Sequence, residues 1–163
     1  FCKVVPDLLS GNPELCSVLF DLPAVIDVAR EIIEAEGMSQ RIELVAGDFH
    51  DAEAAFGEGF DAVFLNGVLH RERESFCRTL IARARAAMVE GGRIFISDVM
   101  LDEEGHGPLF STLFAMNMLL TAPGGGAHST SAHEAWLRDA GFRDVRVTDL
   151  PPPATHTLLS AVA

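Results

Sequence analysis

Short apolar runs alternate with amphipathic stretches along the first two thirds of the chain, and this alternation limits the possible folds more than any other feature. The runs are rich in β-branched or aromatic residues and are bounded by Gly, Asp or Asn, which is typical of buried strands. Strands separated by helices indicate βαβ units and a parallel sheet covered on both faces. The predicted strands are residues 16–20, 41–46, 60–65 and 93–97, and the predicted helices between them are residues 23–36 and 75–89.

In the last third of the chain, the order of strand-like and helix-like segments changes. Two further helices are predicted over residues 109–120 and 130–140. The segments FRDVRVTDL and THTLLSAVA, separated by a run of prolines, are predicted to close a sheet edge as an antiparallel pair. The sequence thus predicts an α/β, doubly wound, Rossmann-like domain whose mostly parallel sheet carries an antiparallel C-terminal hairpin.

Glycines are predicted to end three of these helices. Gly37 follows the first helix, Gly91 and Gly92 follow the second, and Gly141 caps the helix over residues 130–140. Glycine is common just past a helix end because it adopts the left-handed backbone conformation without strain.

The start of such a domain is missing. A doubly wound domain that binds a nucleotide normally opens with a strand, a glycine-rich turn and a helix whose amino end meets the ligand. Residues 4–9 match the latter part of that helix, and neither the strand nor the glycine turn precedes them. We therefore expect a single, partial domain over residues 1–163, with the missing pieces cut away or supplied by another chain.

Composition excludes several classes of function. The formal charge of −12 disfavours binding to nucleic acid phosphates and to anionic membranes. Because the sequence has neither a membrane-length apolar run nor a signal-peptide pattern, we expect a soluble, cytoplasmic protein. Cys2, Cys16 and Cys77 lack the spacing of a zinc site or a disulfide framework and are expected to be buried free thiols. The histidines form no ligand pair, so no metal is expected.

Two acidic residues follow predicted strands at the edge where parallel sheets bind ligands. Asp21 could accept hydrogen bonds from both ribose hydroxyls of a nucleoside, or it could cap the helix that starts near Pro23. Asp48 could accept a hydrogen bond from an adenine amino group while Phe49 covers the ring. Alternatively, Gly47 and Asp48 form a turn, and Phe49 is a core residue.

A histidine and an apolar helix are further candidates. His70 follows the third strand and is the natural group to take a proton from a substrate hydroxyl, although a lone histidine is more often structural. Residues 114–119, FAMNML, are typical of a core helix but would also suit an adaptable wall for a flat aromatic substrate, which Asn117 favours. The segment at residues 122–129, APGGGAHS, lacks the features of a phosphate loop and is predicted to be flexible.

Six segments occur in an order that resembles one enzyme family: LFDLPAVID, RIELVAGDF, FDAVFLNGVLH, AMVEGGRIFISDVML, MNMLLTAPGG and WLRDAGF. Together they resemble the C-terminal catalytic domain of S-adenosylmethionine-dependent O-methyltransferases of the caffeate and hydroxyindole type, especially bacterial natural-product relatives. The resemblance covers nearly the whole chain. It implies a class I methyltransferase domain that moves a methyl group from S-adenosylmethionine to a hydroxyl of a small phenolic or enolic molecule, leaving S-adenosylhomocysteine.

The resemblance also implies roles for individual residues. By position, Asp21 with its neighbour Leu22 holds the cofactor ribose, and His70 is the general base. Family members dimerise through an N-terminal winged-helix domain, which implies a homodimer of the full-length protein or a second chain that supplies the missing part. The remaining implied positions are Asp48 and Phe49 at the adenine, Asn66 near the reactive end of the cofactor, and Met116 and Asn117 in the acceptor pocket.

Departures from the family pattern keep two alternatives open. Arg71 and Glu72 follow His70 where the family usually has Asp-Trp, and the family's loop acid aligns with Ala127, so no partner that would orient His70 is evident. The protein could instead bind the cofactor without methylating, as a hydroxylase, decarboxylase or cyclase, an alternative that Arg71 favours. It could also be a non-catalytic partner subunit, which the missing glycine turn favours.

Overall fold

The structure is a computed structural model that describes residues 4–54 and 56–163. The chain divides into two compact units, Phe1–Phe56 and Gly57–Ala163. The first unit contains α1 (Val4–Ser10), β1 (Ser17–Asp21), α2 (Pro23–Ala35) and β2 (Ile42–Ala46). The second contains β3 (Phe60–Asn66), a 3₁₀ turn (Leu69–Arg71), α3 (Glu74–Ala87), β4 (Met88–Asp98), α4 (Leu109–Thr121), α5 (Thr130–Asp139), β5 (Arg143–Asp149) and β6 (Thr157–Val162).

The first unit is a parallel strand pair with helices packed on it. β1 and β2 pair in parallel from Ser17 opposite Ile42 to Asp21 opposite Ala46. The predicted stop of α2 at Gly37 is confirmed, because Gly37 has a φ of 68° and the next amide bonds back to the Ile33 carbonyl at 3.0 Å. The core of this unit consists of buried side chains from both helices and both strands: Val5, Leu9, Leu19, Ile26, Ala29, Ile33 and Ile42.

The second unit is built on a four-stranded sheet in the order β3-β4-β6-β5. β3 and β4 are parallel, whereas β6 is antiparallel to both β4 and β5. The predicted antiparallel C-terminal hairpin is therefore confirmed. Ile94, Ile96 and Leu159 are fully buried on the central strands, and the predicted cap at Gly141 is confirmed by its φ of 89°.

The prediction that Gly91 and Gly92 end a helix is wrong. α3 ends at Ala87, and both glycines lie within β4. Phe60 pairs with Met88 but Ala62 already pairs with Arg93, so the glycines lie in a bulge of the ladder. Gly91 has a φ of 81°, which a bulge accommodates in glycine without strain.

The prediction that the cysteines are buried free thiols is only partly confirmed. Cys77 is a buried free thiol, as predicted, and burial raises its pKa to about 12. Cys16 is free but exposed, so the prediction of burial is wrong there. Cys2 lies outside the described residues. Within residues 4–54 and 56–163, none of the helices has both the length and the apolar character needed to span a membrane.

Candidate active site

Two carboxylates lie at one edge of the parallel pair in the first unit. Asp21 ends β1 opposite Ala46, and the Gly47 amide donates to the Asp21 carbonyl at 2.9 Å. Asp48 directly follows Gly47 in the chain. The parallel register therefore brings both acids to the carboxyl edge of this strand pair, as the sequence predicted.

Asp21 does not cap the following helix. The N-cap of α2 is Leu22, which makes no side-chain capping hydrogen bond. Asp21 Oδ1 accepts only the Leu22 amide, at 2.8 Å, and Oδ2 accepts nothing from the described part of the chain. The helix-cap alternative is therefore wrong, and one carboxylate oxygen remains available for a ligand.

Asp48 is oriented by the histidine two residues later. The His50 amide and His50 Nδ1 both lie 2.9 Å from Asp48 Oδ1. The backbone hydrogen bond from His50 contributes most to lowering the pKa of this carboxyl. Because both contacts use Oδ1, Oδ2 faces no donor among the described residues. Phe49 is half-buried rather than a core residue, and its ring centroid lies 4.6 Å from that of His50.

This edge has the chemistry of a nucleoside site. Carboxylates accept hydrogen bonds from ribose hydroxyls and from an exocyclic amino group, and an aromatic ring can cover a base. Asp21, Asp48 and Phe49 provide these groups within one unit. Leu22, 42% exposed, lies beside Asp21 and offers apolar surface at the same edge.

In the second unit, a short turn connects the end of β3 to a histidine. Asn66 ends β3 opposite Ser97, and the Gly67 amide donates to the Ser97 carbonyl at 2.9 Å. Gly67 has a φ of 63°, a conformation that favours glycine, and it turns the chain into the 3₁₀ segment Leu69–Arg71. His70 is at the centre of this segment.

A buried carboxylate holds His70. The side chain of Asp98, at the end of β4, is 1% exposed, and its Oδ1 lies 2.5 Å from His70 Nδ1. Oδ1 also accepts the Val99 amide at 2.7 Å. Oδ2 accepts the amides of Leu69 and His70 at 3.1 and 3.2 Å. The carboxylate thus binds both the imidazole and the backbone that carries it.

Asp98 corrects the expectation that His70 has no evident orienting partner. The family's loop acid is absent at Ala127, but the acid at the end of β4 takes this role from a different position. The prediction ended this strand at Ser97, one residue short. An acid at the end of an apolar strand was the same signal that singled out Asp21, so it could also have identified Asp98.

The imidazole is fixed in one tautomer by this contact. Nδ1 must carry the proton to donate to a carboxylate, so the lone pair is on Nε2. Among the described residues, no donor occupies Nε2, and the His70 side chain is 12% exposed. A substrate hydroxyl can therefore reach a nitrogen that is ready to accept its proton.

The α4 helix presents an aromatic stripe to His70. The Phe114 ring meets the imidazole edge-on at a centroid distance of 4.8 Å, and Phe110 stacks on Phe114 at 6.0 Å. Asn117 lies one turn further on the same face. Met116, 59% exposed, projects from the opposite side of the helix. The structure thus brings Asn117 to the stripe that contacts His70 and places Met116 elsewhere.

His133 is buried and His128 is half-buried in the same unit. His133 Nδ1 donates to the Ser129 carbonyl at 2.9 Å, while its buried Nε2 has no partner among the described residues, and burial lowers the pKa of this imidazole. His128 Nε2 donates to the Glu72 carbonyl at 2.8 Å. Within the described residues, no group of three or more His, Cys, Asp or Glu side chains could hold a metal ion.

Most of the chain matches one known protein family. A family model for the O-methyltransferase domain matches residues 4–143, which includes parts of both units. The chain belongs to the O-methyltransferase domain family. The resemblance stated from sequence is thereby confirmed.

Individual relatives agree with this membership. The O-methyltransferase domain is 34% identical over 156 residues to 3-hydroxy-5-methyl-1-naphthoate 3-O-methyltransferase of Streptomyces sahachiroi, covering 96% of this chain and 44% of that protein. The chain thus spans less than half the length of this relative.

Solved structures agree as well, and they confirm the predicted fold class. One is an O-methyltransferase family 2 protein from Planctomyces limnophilus in complex with apigenin, with a TM-score of 0.84 and 30% identity. The match covers 97% of this chain and 45% of that one. Another is human N-acetylserotonin methyltransferase in complex with SAM, with a TM-score of 0.82 and 26% identity. The match covers 98% of this chain and 44% of that one.

Proposed function

We propose that this chain is the catalytic part of an S-adenosylmethionine-dependent O-methyltransferase that methylates a hydroxyl of a small phenolic or enolic natural product. The observation that carries the proposal is the His70–Asp98 pair, in which Nδ1 is held at 2.5 Å and Nε2 remains available. Family membership supports the reaction class, and a relative that methylates a hydroxynaphthoate supports the acceptor class. Because the family match includes parts of both units, we further propose that they belong to one catalytic domain.

The cofactor residues are proposed from the first unit and from the end of β3. Asp21 and Asp48 would accept the ribose and adenine hydrogen bonds through their open Oδ2 atoms, while Phe49 and Leu22 would contact the nucleoside. Asn66 is proposed near the reactive end. When bound, S-adenosylmethionine supplies an electrophilic methyl group on a sulfonium. No metal is part of the proposal.

His70 is the proposed general base. Nε2 accepts the proton of the acceptor hydroxyl, which raises the nucleophilicity of the oxygen, and Asp98 stabilises the imidazolium that forms. The four donors to Asp98 keep the imidazole in one orientation without rearrangement during the reaction. Base catalysis of this type contributes about 10²–10⁴-fold, and positioning of the acceptor supplies much of the remainder.

The acceptor is proposed to lie against the α4 stripe. Phe110 and Phe114 offer an aromatic surface next to the imidazole, and Asn117 on the same face could bind a polar substituent. Met116, on the other side of α4, is proposed to line the pocket in the assembled protein.

One experiment tests the cofactor and the chemistry separately. The protein is titrated calorimetrically with S-adenosylhomocysteine and is then incubated with S-adenosylmethionine and a panel of phenols. Micromolar binding together with S-adenosylhomocysteine formation would support the proposal. Binding without that product would indicate a cofactor-binding protein that does not methylate. A folded protein that binds neither compound would indicate a non-catalytic partner subunit.

We propose in addition a cytoplasmic homodimer, or an assembly with a second chain. Support comes from α4, whose Leu109, Leu119 and Leu120 are 75%, 71% and 87% exposed, an unusual number of apolar side chains in water for one helix. Sedimentation velocity of the full-length protein tests the assembly, and a monomer at micromolar concentration would contradict it.

A further inference from the structure

The turn that carries His70 is held from more than one side. We refer to residues 69–72 as the base turn and to residues 123–129 as the clasp loop. On one side, Asp98 Oδ2 accepts the amides of Leu69 and His70. On the other side, the clasp loop donates twice: Gly126 N to the His70 carbonyl at 2.9 Å and His128 Nε2 to the Glu72 carbonyl at 2.8 Å. A three-residue 3₁₀ turn has little rigidity of its own, so these contacts determine where the imidazole lies.

The clasp loop is itself held by hydrogen bonds and close packing. The Leu101 amide donates to the His128 carbonyl, and the Thr130 amide donates to the Leu101 carbonyl, both at 3.0 Å. Gly125 is packed so tightly that an added Cβ would lie 2.7 Å from Ala122 Cβ. The loop therefore links the segment after β4 to the base turn through hydrogen bonds.

His128 provides the side-chain contact of this connection. A carbonyl oxygen cannot donate, so Nε2 of His128 must carry the proton. The Cys77 thiol also points at the Glu72 carbonyl, at 3.7 Å, but a thiol is a weak donor and burial raises its pKa to about 12. The imidazole edge packs on Trp136 at a centroid distance of 5.0 Å, which holds the donor in place.

We propose that His128 is a positioning residue for His70, and this inference rests on the proposed function of His70 as the base. By donating to the Glu72 carbonyl, His128 holds the exit of the base turn while Asp98 holds its amides. The direction of His70 Nε2 then depends on both contacts. A displacement of about 1 Å at a reacting group can lower a rate about 10²-fold, so a contact two residues away from the base is sufficient to matter.

The experiment compares two substitutions at this position in the full-length protein. His128→Phe keeps a flat ring against Trp136 but removes the donor, whereas His128→Gln retains an N–H that can reach the carbonyl. We expect His128→Phe to lower kcat at least about tenfold with little change in KM or in S-adenosylhomocysteine affinity, and His128→Gln to restore most of kcat. His106→Phe, in an exposed loop, is the matched control and should leave kcat unchanged.

A double variant separates positioning from a general structural role. If His128 acts through His70, His128→Phe should have almost no further effect on kcat in a His70→Ala background, since the base that it positions is gone. An equal loss in both backgrounds, or an unchanged kcat in the single variant, would overturn the proposal.

A spectroscopic readout keeps this inference separate from the proposed function. The His70 Nδ1 proton, shared with Asp98, can be followed by nitrogen-15 NMR, and its exchange with solvent should be at least about tenfold faster in His128→Phe, and close to wild type in His128→Gln. Unchanged exchange would overturn the positioning role. If the wild-type protein transfers no methyl group, the proposed function fails, and this exchange measurement alone decides the role of His128.

Discussion

Replacing Asp98 by asparagine should affect both stability and catalysis. The carboxylate has four donors: the amides of Leu69, His70 and Val99 and the imidazole Nδ1 of His70, at 2.5–3.2 Å. An asparagine has one acceptor oxygen and one amino group, so in either orientation its amino group faces two donors. If the amino group faces the Leu69 and His70 amides, both lose their acceptor. If it faces Val99 and the imidazole, the Val99 amide loses its acceptor, and the imidazole regains a hydrogen bond only by switching tautomer.

The magnitude follows from this count. Each buried donor left without an acceptor costs about 1–3 kcal/mol, so Asp98→Asn, which leaves one or two donors unpaired, should lower the free energy of unfolding by about 1–6 kcal/mol. If the amino group faces Nδ1, the imidazole must switch tautomer and its lone pair turns away from the acceptor. We then expect kcat to fall by about 10²–10⁴-fold, the range attributed to general base catalysis.

Denaturant unfolding and methyl-transfer kinetics measure the two effects. Asp149→Asn is the matched control, because Asp149 also ends a strand but is exposed; it should change the free energy of unfolding by less than about 0.5 kcal/mol. An Asp98→Asn protein with wild-type stability and kcat would refute the assignment of Asp98 as the orienting partner of His70.

Three further predictions concern other residues. Asp21→Ala should weaken S-adenosylhomocysteine binding by about 1.5–3 kcal/mol in calorimetry, while Asp27→Ala, at an exposed position of α2, should not. Equal affinities of wild type and Asp21→Ala would remove Asp21 from the site. Burial lowers the pKa of His133 below its ordinary 6.5, so the unfolded chain binds a proton that the folded chain does not. As the pH decreases below about 6.5, the free energy of unfolding should therefore decrease by up to about 1.4 kcal/mol per pH unit until the folded pKa is reached. His133→Phe should flatten this slope in unfolding experiments. Iodoacetamide at pH 8 should alkylate exposed Cys16 and leave Cys77 intact by mass spectrometry, since burial raises the Cys77 pKa to about 12; rapid modification of Cys77 in the folded protein would contradict this.

Local signals were sufficient for most of the fold. The helix stops at Gly37 and Gly141 were predicted correctly because the end of a helix depends on a few neighbouring residues. The C-terminal hairpin was also predicted correctly, from two strand-like segments separated by prolines. The stop at Gly91 and Gly92 failed because a glycine pair suits both a helix end and a strand bulge. Only pairing with β3, about thirty residues earlier in the chain, selects the bulge.

The sequence by itself singled out Asp21, Asp48 and His70 as polar residues that follow predicted strands, because strand-like runs and the residues after them are recognisable from local sequence. Only the tertiary structure decided what each of them contacts. It showed that Asp21 caps no helix and that Asp98 holds His70 across 28 residues of chain. It also showed that a glycine-rich loop hydrogen-bonds to the turn that carries His70. These outcomes depend on which distant segments pack together, a long-range property that neither spacing nor composition encodes.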